Sequence, residues 1–187
     1  SVIPGFIDAH AHPIGYGLAE AGVWVNCSDV TCIEDLVRKA EEKSKSTPKG
    51  QWIFGRGWPV GRLERLPKKE DFNQRVPDHP IWFNDVSGSL YILNSKGLEA
   101  IELNKNSLPP SGNPNSRIDK NEKGELSGIL RDCDPWDFVD MPPFFSQEDI
   151  LLGLRTMVKK VKSFGITTSA QIGIAIPPGS YGAERVR

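Results

Sequence analysis

Val2-Ile3-Pro4-Gly5-Phe6-Ile7-Asp8-Ala9-His10-Ala11-His12-Pro13 carries an apolar run into a cluster of polar side chains. Val2, Ile3, Phe6 and Ile7 predict a buried strand over Val2–Ala11. Residues two apart on a strand point to the same side, so Asp8, His10 and His12 share a face at its end. Two parallel imidazoles suit one divalent metal ion, with Asp8 either orienting a ligand or packing beneath it. The spacing alone leaves a second reading open, a hydrogen-bonded structural pair. Pro13, Gly15 and Gly17 then predict a break, and a loop to about Ser28.

Working outward, Thr31 and Glu34 have capping-box spacing and open a helix over residues 31–45, with Ile33, Leu36, Val37 and Ala40 as its apolar stripe. A short strand follows at residues 52–55, a turn at Gly57-Trp58-Pro59, and a loop with one helical turn over Arg62–Asp71. Ile81–Val86 reads as a strand and Leu90–Ile101 as a helix. Residues 104–125 read as exposed loop with a hairpin around Asn121–Gly124, and Ser127–Asp132 as a short strand. Ser146 and Asp149 cap the best helix, whose stripe runs from Ile150 to Phe164. Gly165 stops it, and a strand follows over Ile166–Ile176. Strands alternating with helices predict an α/β fold with mainly parallel strands and ligands beyond their carboxyl ends.

The chain has 187 residues, room for one domain or a compact body with an inserted lobe. A net charge of −1 with no basic cluster argues against nucleic acid. No apolar run approaches membrane-spanning length and no signal peptide is visible, so the expectation is a soluble, cytoplasmic protein. Cys27, Cys32 and Cys133 lack a disulfide or zinc-knuckle spacing and read as free thiols. The sequon Asn26-Cys27-Ser28 reads as chance.

Five further matches, in order, give the opening motif its meaning. Val2–Pro13 resembles the first barrel strand of the amidohydrolase superfamily, in its amidohydrolase-3, YtcJ-like branch. Pro48–Trp58 is similar to that branch's P-x-G-x-W-I-x-G-x-G-W, and Pro77–Trp82 to its P-D-H-P-V-W/F. Asn94–Leu98 is similar to N-S-x-A-L, Gly124–Asp132 to G-E-x-x-G-x-L-x-[DE], and Gly165–Thr168 to G-I-T-S/T. The resemblance implies a partial TIM-barrel-type α/β fold with a large inserted α/β lobe. The first barrel strand and its loop would occupy residues 1–29, the lobe 30–145, and a helix and the next barrel strand 146–187. It implies hydrolysis of amide or cyclic-amide C–N bonds by a metal-activated water, with zinc the usual ion. On this footing His10 and His12 are the metal ligands and Asp8 supports them. Trp58 and Asp85 are candidate substrate contacts, or else a core aromatic and a structural carboxylate.

Three departures shape the expectation for this chain. The later barrel strands, with the family's remaining ligands and catalytic acid, have no counterpart here, so the chain reads as an N-terminal part with little activity alone. Ser89 stands where the family's S-G-H histidine would be, and Gln171 where a carboxylate is common. His79, in an Asp-His-Pro turn, reads as structural. These losses leave an alternative open: a non-catalytic module binding a small molecule or a protein. Under either reading, uncovered barrel edges favour a homo-oligomer.

Overall fold

The computed structural model describes residues 3–110, 112–134, 137–138 and 145–171. The chain divides into two compact units, one of Ser1–Trp24 with Met141–Arg187 and one of Val25–Asp140. None of the described helices is long and apolar enough to cross a membrane.

The first unit holds strand β1 (Phe6–Ala11), helix α1 (Pro13–Glu20), helix α5 (Gln147–Ser163) and strand β8 (Ile166–Gln171). β1 and β8 form a two-stranded parallel sheet in which Asp8 is level with Ser169 and Ala11 with Gln171. The expected burial of β1 is not found: Ile3 is 68% exposed, Phe6 59% and Ile7 72%. A strand is buried by neighbours on its faces and edges, and among the described residues β1 has a single partner strand. The strand over Ile166–Ile176 is observed as β8 to Gln171, and the rest lies outside the described residues.

The expected loop after His12 is instead α1. Pro13 sits at its first turn, where the missing N–H costs nothing, and the glycines are offset by packing on α5. The two helices approach through glycines. A methyl added to Gly17 would overlap the carbonyl oxygen of Gly153, and one added to Gly153 would lie 3.0 Å from the Leu18 backbone nitrogen. The α5 cap is as read: Ser146 Oγ accepts from Asp149 N–H at 3.0 Å, and Asp149 Oδ2 accepts from Ser146 N–H at 2.9 Å. Gly165 follows the helix at φ +75°.

The second unit is built on a six-stranded sheet. Its strands are β2 (Val25–Asn26), β3 (Ile53–Trp58), β4 (Ile81–Asp85), β5 (Leu90–Leu93), β6 (Arg117–Lys120) and β7 (Leu126–Arg131), ordered β2-β3-β4-β5-β7-β6. β2, β3 and β4 run parallel, whereas β4–β5, β5–β7 and β6–β7 are antiparallel. The sheet is therefore mixed rather than mainly parallel, because tight turns join β4 to β5 and β6 to β7, and β7 returns antiparallel beside β5. Helices α2 (Ile33–Ser44), α3 (Lys69–Asn73) and α4 (Ser95–Ala100) complete the unit. Its core joins Leu36, Val37 and Ala40 of α2 and Phe72 of α3 to Ile53, Phe83, Ile92 and Ile129 of the sheet.

Local readings are corrected in three places. Thr31 reciprocates with Asp35, through N–H and Oγ1 at 3.2 and 2.9 Å, rather than with Glu34, and α2 begins after Cys32. Gly57-Trp58 continues β3 instead of turning, because Gly57 at φ +90° absorbs a bulge and returns Trp58 to register with Asp85. The expected helix over Leu90–Ile101 is a strand followed by a helix. Leu90–Leu93 fill the slot between β4 and β7, and Asn94 starts α4. The hairpin at Asn121–Gly124 is present, closed by Asn121 N–H donating to the Glu125 carbonyl at 2.8 Å.

Candidate functional site

His10 and His12 straddle the junction of β1 and α1. His10 lies near the end of the strand, and His12 is the residue before the first helical turn, its carbonyl accepting from Tyr16 N–H at 3.1 Å. Both side chains are exposed. Their ring centres are 5.9 Å apart, with the planes at 84°. With metal–nitrogen bonds of about 2.1 Å, each ring centre would lie roughly 3 Å from a shared ion, so this spacing is just within reach of one ion. Asp8 is half-buried, and its carboxylate accepts from the backbone N–H of His10 at 3.2 Å. It thus braces the backbone just ahead of the His10 imidazole. The backbone of Gln171 is paired with Ala11, between the two histidines. Among the described residues no group of three His, Cys, Asp or Glu side chains converges on a metal-sized site.

Trp58 and Asp85 are brought level across the β3–β4 pair, and both are buried. Asp85 organises the turn between β4 and β5. One oxygen accepts from Ser87 N–H and Oγ at 3.1 and 2.7 Å, the other from Ser89 N–H and Leu90 N–H at 3.1 and 3.0 Å. Ser89 is therefore fixed by the carboxylate beside it. Trp58 lies in the core of its unit, and its indole N–H has no acceptor among the described residues. His79 is buried, with Nδ1 3.1 Å from the Gln51 carbonyl.

Two residues escaped the reading of the sequence. Asn94 is buried and knits three elements: its oxygen accepts from Ile81 N–H and Gly97 N–H at 3.0 and 2.8 Å, and its amide donates to the His79 carbonyl at 2.8 Å. The Asn-Ser pair before a short apolar run was the available signal. Arg56 is half-buried in β3 and makes no ion pair among the described residues. Nothing local marks it, since its neighbours come from other strands.

Burial also sorts the thiols. Cys27 is free and buried, and loss of solvation pushes its pKa up to about 12, against a smaller opposing pull from Lys39. Cys133 is likewise raised by burial, to about 11. Both are protonated at neutral pH and inert as nucleophiles.

A parallel strand pair with an exposed histidine pair at its end, and a separate unit built on a mixed sheet, define an α/β scaffold. The chain belongs to the amidohydrolase family, whose model matches residues 1–178. YtcJ of Bacillus subtilis (strain 168) is 28% identical over 168 residues, covering 89% of this chain and 31% of that protein. An N-substituted formamide deformylase of Arthrobacter pascens is 24% identical over 132 residues, covering 70% of this chain and 24% of the enzyme. The fold resembles the crystal structure of an uncharacterized metal-dependent hydrolase from Pyrococcus horikoshii OT3, with a TM-score of 0.57 and 20% identity, covering 89% of this chain and 30% of that one. The chain thus spans about a third or less of these relatives.

Proposed function

We propose that this chain supplies the first strand and an inserted lobe of a partial TIM barrel, in a hydrolase acting on C–N bonds with a divalent metal. The observation that carries the reading is the pair His10 and His12: exposed, 5.9 Å apart, and braced by Asp8. The donor chemistry fits zinc, which takes imidazole readily, and the name of the Arthrobacter relative is consistent with an amide-type substrate. A bound divalent ion supplies Lewis-acid polarisation of a carbonyl and acidifies a water. His10 and His12 would hold it, and Asp8 anchors the backbone N–H of His10. Two imidazoles leave coordination positions unfilled, since zinc sites take three or four protein ligands. The remaining donors, and full turnover, belong to other parts of a complete enzyme. The exposed apolar side chains of β1 support a homo-oligomer as the state of this chain in isolation.

A second reading, a non-catalytic module binding a small molecule, is favoured by Ser89 in place of an imidazole and by Gln171 beside the histidine pair. Zinc titration separates the two. Wild type is expected to take up zinc at the histidine pair, and His10→Ala/His12→Ala to lose that uptake. Identical titrations of the two proteins would leave the second reading standing.

A further inference from the structure

His10 and His12 offer a metal ion half of a tetrahedral donor set, and the described residues around them do not supply the other half. Neither imidazole makes a hydrogen bond among the described residues, so each keeps a ring nitrogen for a ligand. Asp8 does not complete the set. Its Oδ1 accepts from the backbone N–H of His10 at 3.2 Å, and among the described residues no third His, Cys, Asp or Glu converges with the pair. The spacing favours four-coordination. With ring centres roughly 3 Å from an ion, neighbouring rings stand roughly 5 Å apart in a tetrahedron and roughly 4 Å apart at adjacent octahedral positions. The observed 5.9 Å is nearer the first.

The surroundings of the pair fit a second protein molecule better than a small ligand. Both imidazoles are exposed where β1 meets α1. Phe6 and Ile7, earlier in the same strand, are more than half exposed, and among the described residues β8 is the one strand paired with β1. Two copies would bring further apolar surface out of water as they bring donors to the ion. A net charge of −1 per chain sets little repulsion between them. A two-fold axis places the same patch of each copy face to face. Each copy carries one such histidine pair, so the assembly closes at two.

We propose that two copies of this chain share one zinc ion, each supplying His10 and His12, in a four-imidazole site. Zinc suits the set because it takes imidazole readily and holds four ligands in a tetrahedron. The inference rests on the reading of the pair as a metal site, and names what completes the coordination when this chain stands by itself.

The test strips the full chain with a chelator and adds zinc in steps. Calorimetry reads uptake, and light scattering reads mass, at a loading where the zinc-free chain is a monomer. Uptake is expected to level off at one zinc per two chains while the mass doubles, and chelator to return the monomer. His10→Ala/His12→Ala keeps the monomer mass throughout. Its melting temperature without zinc matches wild type, because both side chains are exposed. His12→Ala, with one imidazole per chain, binds zinc at least tenfold more weakly than wild type. One zinc per chain at unchanged mass would overturn the shared site and leave the metal reading of the pair standing. No uptake by wild type would end both. Zinc-driven doubling of the double variant would place the ion elsewhere, and growth beyond two chains would exclude a closed pair; either result overturns the proposal.

Discussion

Single side chains hold the larger unit together at points where several backbone segments meet. Asn94 is the clearest: it satisfies two N–H groups and a carbonyl that have no water to turn to. Asn94→Ala removes a helix cap and strands buried partners, and should cost about 3 kcal/mol. Urea unfolding followed by fluorescence of Trp52, Trp58 and Trp82, all in that unit, reads the loss; a midpoint unchanged from wild type would contradict it. Cys27 makes a different prediction, in pH. Its folded pKa, about 12, lies above the ordinary 9.0. The contribution of the buried thiol is fully present below the unfolded value and is lost as pH rises from about 9 towards 12, because the unfolded thiol ionises first. Stability should therefore fall over that alkaline range, and more shallowly in Cys27→Ala. Parallel curves for the two proteins would show that the thiol is not the source.

Between elements, the α1–α5 crossing offers a test whose sign discriminates. Alanine is the better helix former, so Gly17→Ala would stabilise an otherwise unconstrained α1 by up to about 1 kcal/mol. Here the added methyl meets the Gly153 carbonyl, and helices have to move apart to admit it. Overpacking of this kind costs about 1–3 kcal/mol, so the variant should melt earlier than wild type. A higher melting temperature would mean that the helices part without penalty. The same crossing explains what could and could not be read in advance. Helices α2 and α5 were legible because their stripes repeat over three or more turns and their caps are local. Helix α1 was not, because its glycines read as breakers until α5 is set against them. Leu90–Leu93 misled for a related reason: a short apolar run has no period of its own, and its place between β4 and β7 decides its state. Of the candidate site, the His10–His12 pair was legible from a two-residue spacing. The buried bonds of Asn94 were not, since Ile81 and His79 lie 13 and 15 positions away along the chain and meet it only through the fold.

Taken whole, the chain is uneven in how it manages apolar surface. The unit of Val25–Asp140 encloses its own core of α2, α3 and sheet residues, with Phe72, Phe83 and Ile92 fully buried. In the other unit, Ile3, Phe6, Ile7 and Phe164 are all more than half exposed, around a sheet that has two strands among the described residues. An isolated two-stranded sheet is marginal in water, and an uncovered strand edge invites pairing with another chain. These features together predict concentration-dependent self-association through β1. Light scattering coupled to size exclusion should show a mass that grows with loading in the micromolar range. Ile7→Lys should shift the population towards monomer, because it places a charge at the centre of the exposed stretch while leaving the residues paired with Asp8 and Ala11 untouched. The larger unit gives the control: Leu108 is 80% exposed but stands in a polar loop, so Leu108→Lys should leave the mass unchanged. A wild-type chain that runs as a monomer at every loading would refute β1 as an adhesive edge. An equal response to both substitutions would trace the association to general surface charge instead.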